Sequence, residues 1–355
     1  MIRVALVGAG GMARHYRAVY ASLPQVRWML AVDPNAQERA ACKELGVART
    51  SSRFEDALAD DIDMVDISTP NHLHEPQAVA ALRAGKHVLL QKPMANTLEA
   101  ADRILDAAES SRGTLGMFMS SYGNPVMWSI KRMIETGALG KIQSVRARDA
   151  HRGGLFADRG DHKWRSSKEK TGGGAFIQLS IHGINLVQWW LDSRITELCA
   201  YCDNRYCPNI GGDDVTTAIA RFDNGVLGTF DSGYASDGQA REVYGTAGYV
   251  RLTDGDNILR MCLDEPYEDE LIQYTTPGER RRFVLVRHKH DDVQNVYNQH
   301  RCFVEALEAG RPPHMSGEVG RHDLAVVMAA YESAERGVPV RVRARVPRRP
   351  AAATG

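Results

Sequence analysis

Ile2-Arg3-Val4-Ala5-Leu6-Val7-Gly8-Ala9-Gly10-Gly11-Met12-Ala13 opens the chain with an apolar strand that runs straight into a glycine-rich turn. Met12 to Tyr20 then reads as a helix, and Val26 to Val32 as a second strand ending on Asp33. Such a βαβ unit is built for a dinucleotide, and each part has a physical task. Gly8 permits the tight turn, and Gly10 lets the backbone approach a pyrophosphate with no Cβ between them. Gly11 and Met12 lead into the helix, whose N-terminal N–H groups and dipole favour phosphate. Ala13 is small enough for the helix to lie close to the sheet. Asp33, 25 residues beyond Gly8, can accept hydrogen bonds from both ribose hydroxyls and repels a 2′-phosphate. Pro34, not Arg or Ser, follows it. The expected cofactor is therefore NAD(H) rather than NADP(H).

A chain of 355 residues exceeds one ordinary core, so two domains are expected. The 44 basic and 44 acidic residues balance, which argues against nucleic-acid or membrane-surface binding driven by bulk charge. No apolar run is long enough to span a bilayer, and the N-terminus enters a strand without a signal-peptide pattern, so a cytoplasmic enzyme is expected. Cys199, Cys202 and Cys207 have a metal-like spacing but no fourth Cys or His nearby in sequence. Reduced, buried cysteines and no metal are the expectation.

Strand and helix patterns alternate through the first third: Ala36–Leu45 as helix, a weak unit at Phe54–Leu58, strand Met64–Ser68, helix His74–Ala84, strand His87–Leu90, helix Thr97–Ser110 and strand Thr114–Met119. Repeated βα units imply a parallel, doubly wound sheet over residues 1–123. The pattern changes after Tyr122. A helix at Val126–Thr136 precedes strands at Ile142–Ala150, Ile195–Tyr201, Thr216–Phe222, Gly225–Ser232 and Tyr249–Leu252. Asp223-Asn224-Gly225 is a hairpin signal. Residues 124–340, closed by helices at Val293–Glu308 and Arg321–Ala334, are therefore expected to form an α+β domain with a mainly antiparallel sheet. Residues 341–355 read as a last strand and a frayed tail whose five arginines are solvated.

Side chains at the strand ends of a doubly wound sheet face the ligand. Two such ends stand out: Ser68-Thr69-Pro70-Asn71-His72-Leu73-His74, and His87-Val88-Leu89-Leu90-Gln91-Lys92-Pro93. An ammonium at Lys92, beside the nicotinamide, could bind a substrate hydroxyl and stabilise its alkoxide. In the second domain, Gly172-Gly173-Gly174 opens an apolar helix on which Gln178, His182 and Asn185 fall at i, i+4 and i+7, one stripe. A polar stripe on such a helix needs either a wet cleft or hydrogen-bond partners.

The Gly8–Ala13 turn, the Ser68–His74 segment, Gly85-Lys86-His87-Val88 leading to Lys92-Pro93, and Gly172–Gly174 followed by His182 together resemble the glucose–fructose oxidoreductase / inositol dehydrogenase / rhizopine-catabolism (Gfo/Idh/MocA) family, from Ile2 to about Val340. The resemblance implies an N-terminal Rossmann domain and a C-terminal domain with a large open sheet, through which a homodimer or homotetramer forms. It implies that Thr69, Pro70, Asn71, His74 and Gln91 join the glycine turn, Asp33 and Lys92 around the cofactor. It also implies that Lys92 and His182 meet at the nicotinamide and that Lys92–Pro93 is cis. Trp164, Arg165, Gln178, His182, Asn185 and Tyr122 are expected to face the substrate.

Three residues depart from the family pattern. Gln91 replaces a common Glu, and Gln178 and Asn185 replace two common acids, so charges that would raise the pKa of Lys92 or His182 are absent. Lys92 is therefore expected to take the larger part in proton transfer, with His182 as hydrogen-bonding partner or secondary acid/base, both counted as catalytic. The segment from Arg146 to Lys170 carries Arg148, His151, Arg152, Arg159, His162, Lys163 and Arg165. These read either as a solvated basic loop or, at Trp164-Arg165, as a site for an anionic sugar. The function expected is hydride transfer between NAD and a secondary alcohol or ketone of a sugar, inositol or derivative. The alternatives are a glycosidase-like enzyme using transient oxidation, and a non-catalytic NAD(H) sensor.

Overall fold

A computed structural model describes residues 1–157, 159–253, 258–275, 282–285 and 292–346. The first unit comprises β1 (Ile2–Val7), α1 (Ala13–Ser22), β2 (Val26–Val32), α2 (Ala36–Glu44), β3 (Arg49–Ser51), β4 (Met64–Ile67), α3 (Asn71–Arg83), β5 (His87–Gln91), α4 (Leu98–Glu109) and β6 (Leu115–Phe118). Its six strands lie in the order β3-β2-β1-β4-β5-β6, with every pairing parallel. Val4 to Val7 and Val88 to Leu90 are buried, as continuous apolar strands covered on both faces must be. Strand order reverses between β1 and β4, so a crevice opens where Gly8 and Ser68 leave the sheet. α3 starts three residues before the expected His74. Pro70 sets its entrance, and Asn71 donates to the Thr171 carbonyl from its first turn.

After α5 (Pro125–Glu135) the second unit adds β7 (Ile142–Ala150), α6 (Lys168–Thr171), α7 (Ile181–Leu191), β8 (Ile195–Asp203), β9 (Val215–Phe222), β10 (Leu227–Gly233), β11 (Gly238–Gly245), β12 (Gly248–Thr253), β13 (Ile258–Leu263), β14 (Tyr267–Glu268), β15 (Gln273–Tyr274), β16 (Arg282–Leu285), α8 (Asp292–Glu308), α9 (Gly317–Arg336) and β17 (Val340–Arg341). Nine of these strands form one sheet, β16-β13-β12-β11-β7-β10-β9-β8-β17, antiparallel except where β7 meets β10. The Asn224-Gly225 hairpin joins β9 to β10, with Gly225 at φ 87°. Alternation along β9 puts Thr216, Ala218, Ala220 and Phe222 under the helices and leaves Ile219 60% exposed on the outer face, near Tyr201 at 83%. β11, β13 and β16 were not anticipated. β11, for example, reads Gly-Gln-Ala-Arg-Glu-Val-Tyr-Gly, and its polar content masks the alternation.

Two features differ from expectation at the C-terminal end. α8, expected with the second unit, packs Val296, Phe303 and Val304 into the core formed by Val4, Leu6 and Tyr20 of the first. The last strand comprises only Val340 and Arg341, and residues 347–355 lie outside the described part. Arg345 is not solvated: its side chain is 7% exposed and bridges Asp106 and Glu109 of α4 and Glu318 of α9. Those three carboxylates converge where the chain leaves β17, which holds the segment down. No helix among the described residues is long and apolar enough to cross a membrane.

Candidate active site

The glycine turn needs its glycines for two different reasons. Gly8 sits at φ +84°, and a Cβ there would lie 2.8 Å from the Ser68 backbone, so it lets the β1 and β4 strand ends close up. A Cβ on Gly10 would meet nothing nearer than 3.8 Å and would occupy open space in front of Glu38 and Asp33. The Asp33 carboxylate, 8% exposed, accepts hydrogen bonds from the Ala9 N–H (2.8 Å), the Gly10 N–H (3.2 Å) and the Asn35 N–H (2.8 Å). It still has lone pairs for ribose hydroxyls. Glu38, which sequence reasoning missed, is buried beside it and paired with Arg14 and Arg17. Arg39 is committed to the Asp33 and Pro34 carbonyls. Two carboxylates and no uncommitted arginine at this end fit an unphosphorylated ribose. The open space at Gly10 and the N-terminus of α1 fit a pyrophosphate.

From this end a cleft of about 380 Å³ runs across the sheet. Gly8, Gly10, Gly11, Met12, Asp33, Thr69, Pro70, Asn71, Gln91, Lys92, Trp164, Arg165 and Gln178 line it. His74 does not line it. It is fully buried below the floor, its ring nitrogens 2.8 Å from the Thr69 carbonyl and 2.8 Å from the Pro93 carbonyl, and so ties the two strand-end loops together. Burial holds its pKa down at about 4. The Lys92–Pro93 bond is cis. Lys92 Nζ donates to the Gln178 carbonyl at 2.7 Å. Burial, assisted by the Arg165 guanidinium and opposed by Asp149, brings the Lys92 ammonium down to about 7.

The three glycines turn out to serve packing rather than a ligand. Asp213 accepts from the Gly174 and Phe176 N–H groups, each at 2.9 Å, and from Tyr331 Oη at 2.8 Å. A Cβ on Gly174 would lie 1.9 Å from the Asp213 carbonyl oxygen. The helix expected to continue from these glycines instead begins with a π-helical stretch, Phe176–Ser180, followed by α7. That wider turn breaks the expected stripe. Gln178 faces the cofactor cleft with its Nε2 buried and unpartnered. His182 is half-buried and is not among the residues that line this cleft. Burial, with the charges of Lys92, Arg241 and His151, keeps its pKa well below the usual range. Asn185 turns to α9, donating to Asp323 Oδ2 at 2.7 Å, and does not join the cleft.

Asp149 was not anticipated. It stands on β7 with the inward parity of Val145 and Ala147, is 5% exposed, and pairs with Arg241 of β11. A charged residue at an inward strand position was the signal available; Arg241 lies on a strand that was not foreseen. Among the described side chains of the basic run, His151 and Arg165 stand near Lys92. Arg165 stacks on Trp164, 5.3 Å to the ring centroid, with its Nε buried and unpartnered. Arg148 pairs with Asp231 on the outer side, Arg152 with Asp237, and Arg159 lies over Phe156, while Lys163 is exposed. The side chain of His162 lies outside the described ones. Tyr122 lines a separate cavity of about 230 Å³ and packs 4.5 Å from the Trp189 ring centroid. Among the described residues no group of three or more His, Cys, Asp or Glu could hold a metal.

A cleft shaped for a dinucleotide that ends at a half-buried lysine fits an NAD-dependent oxidoreductase. Residues 2–119 match the oxidoreductase family with an NAD-binding Rossmann fold, and residues 127–251 match the GFO/IDH/MocA C-terminal domain. The chain belongs to the Gfo/Idh/MocA family. It is 27% identical to 1,5-anhydro-D-fructose reductase of Ensifer adhaerens, over 95% of this chain and 97% of that one. It is 27% identical to levoglucosan dehydrogenase of Pseudarthrobacter phenanthrenivorans, over 70% and 73%. The fold matches a levoglucosan dehydrogenase solved with NADH, with a TM-score of 0.85, 22% identity and coverage of 96% and 99%.

Proposed function

We propose that this chain is a cytoplasmic dehydrogenase or reductase acting on a secondary alcohol or ketone of a sugar, inositol or sugar derivative. The placement of Lys92 carries the reading: a half-buried amine lining the end of the cleft, with a pKa brought to about 7. The names of relatives that act on anhydrofructose, levoglucosan and myo-inositol support the substrate class. Six free cysteines suit a reducing compartment.

NAD supplies the hydride acceptor or donor when bound in the cleft. The chain's own residues handle the rest. Asp33 orients the ribose, and the Thr69–Asn71 floor and Gln91 support the nicotinamide half. Trp164 offers an apolar face to a sugar ring. Lys92 in its neutral form takes the proton of the reacting hydroxyl, and in its charged form returns it to a carbonyl. His182, neutral at working pH, hydrogen-bonds to the same oxygen. The test is the absorbance of reduced nicotinamide with NAD and a panel of inositols, aldoses, uronates and anhydrosugars. Turnover that Lys92→Ala abolishes supports the reading. Aryl-glycoside cleavage without net reduction points to the glycosidase-like alternative, and NAD binding without any turnover points to a sensor.

The orphan Nε of Arg165 favours a further reading, in which the substrate is anionic, such as a uronate. Arg165→Ala should then raise KM for the anionic substrate about tenfold or more. An unchanged KM for every active substrate removes the idea. The exposed outer face of the large sheet, with Tyr201 and Ile219, is proposed to pair with a second copy. Sedimentation equilibrium should find a dimer or tetramer, and a monomer at micromolar concentration would refute the pairing.

A further inference from the structure

The helix that carries His182 brings no acid to the site: Gln178 presents an amide, and Asn185 is spent on Asp323. The acid comes from the sheet. α7 crosses β7 at Gly183, where a Cβ would lie 2.6 Å from Ala147 Cβ and 2.7 Å from Asp149 Oδ2. Only glycine permits that approach, and it sets Asp149 directly beneath the residue next to His182. The Asp149 carboxylate is tethered at Oδ1 by Arg241, which also donates to the Arg148 and Ala240 carbonyls, both at 2.8 Å. Its Oδ2 is buried and, among the described residues, has only the Gly183 N–H as a polar neighbour. Burial raises the Asp149 pKa, and Arg241, the Gly183 N–H and the charge of Lys92 oppose that rise. A buried carboxylate this thinly partnered is costly unless nearby positive charge compensates it.

We propose that Asp149, held by Arg241, is the counter-ion of the Lys92–His182 site and a positioning residue for its proton transfer. It takes over from the sheet side the task that an acid on the His182 helix would have. The inference rests on the reading of Lys92 as the proton-handling group.

The charged and titratable groups around Lys92 come from several elements. Arg165 comes from the short helical segment Gly160–Ser166, His151 from the end of β7, His182 from α7 and Arg241 from β11. Asp231 on β10 also senses Asp149 but is paired with Arg148, and Asp237 stands near His151. Asp149 and Arg165 act on Lys92 in opposite senses. Loss of the carboxylate should favour the neutral amine at lower pH, and loss of the guanidinium should favour the ammonium to higher pH.

The test titrates Lys92 directly, in the cofactor-free protein. The rate of its acetylation by a trace of acetic anhydride is followed by peptide mass spectrometry between pH 5 and 10. The wild-type midpoint is expected near 7. Asp149→Asn should lower it by on the order of one pH unit. Asp149→Glu, which keeps the charge, should restore it most of the way, and Arg165→Gln should raise it. Asp149→Asn leaves Arg241 buried without its partner, so the double variant Asp149→Asn/Arg241→Gln carries the same expectation in a neutralised pair. A midpoint unchanged in whichever of these folds overturns the proposal. Because labelling needs no turnover, a silent substrate panel would count against the enzymatic reading and leave this measurement standing.

Discussion

Lys92→Ala is expected to lower kcat about 10³-fold, the usual worth of a positioned acid/base, while NADH still binds. Among the described residues, the titratable neighbours His151 and His182 have their pKa values lowered by burial and by nearby positive charge, so neither is a good substitute for the amine. Gln178 offers Lys92 only its backbone carbonyl. The pH profile supplies the sign. On the proposed role alcohol oxidation would use the neutral amine, so kcat/KM in that direction should rise with pH through about 7 and then level off. Carbonyl reduction uses the ammonium and should fall through the same value. Lys92→Arg should also be inactive in oxidation, because a guanidinium does not give up its proton in this range. Stopped-flow absorbance on any substrate the panel identifies would read all three. Activity of Lys92→Ala within tenfold of wild type, with the same pH limb, would remove Lys92 from the chemistry.

The second large effect concerns Asp33. Asp33→Ala would remove the proposed acceptor for two ribose hydroxyls and also unpin the Ala9 and Gly10 amides, which the carboxylate holds at 2.8 and 3.2 Å. NADH affinity should fall about 10²-fold, or roughly 2.7 kcal/mol. Asp33→Asn keeps an oxygen for the amides but not the charge, and should lose about tenfold. Comparison of the two separates the charge from the organisation of the turn. Preference for NAD over NADP should narrow without inverting, since Glu38 remains nearby and Arg14, Arg17 and Arg39 stay engaged. Quenching of protein fluorescence by NADH and NADPH would measure this. Unchanged NADH affinity in Asp33→Ala would place the ribose elsewhere.

Local chemistry made the first unit legible. The strand from Ile2 to Val7, the one from Val26 to Val32 and the Asp33 after it stand where the apolar runs end, because each boundary is set by neighbouring residues. β7 and the Asn224-Gly225 turn were legible for the same reason. What escaped depends on residues far apart in the chain. The π-helical turn at Phe176–Ser180 follows a glycine cluster locked onto Asp213, about 40 residues later, and no periodicity within the helix reveals it. That turn separates Gln178 from His182 and Asn185, which both lie on the regular helix after it. Asp149 escaped because its partner Arg241 is a neighbour only after β11 has paired with β7.

The position of α8 bears on how the protein is made. Phe303 fills the space that a Cβ on Gly116 would take, His300 reaches Asp66 at the centre of the nucleotide-binding sheet, and Asn298 donates to the Gly123 carbonyl. These residues leave the ribosome more than 160 positions after the last strand of that sheet. The usual order, in which the N-terminal domain completes its fold while the rest is still being synthesised, is therefore not open to this chain. Its nucleotide-binding half must wait, with one flank of its core uncovered, for a helix translated more than 160 residues after its last strand. A gene cut at the apparent boundary after residue 123 would express a fragment lacking part of its own interior.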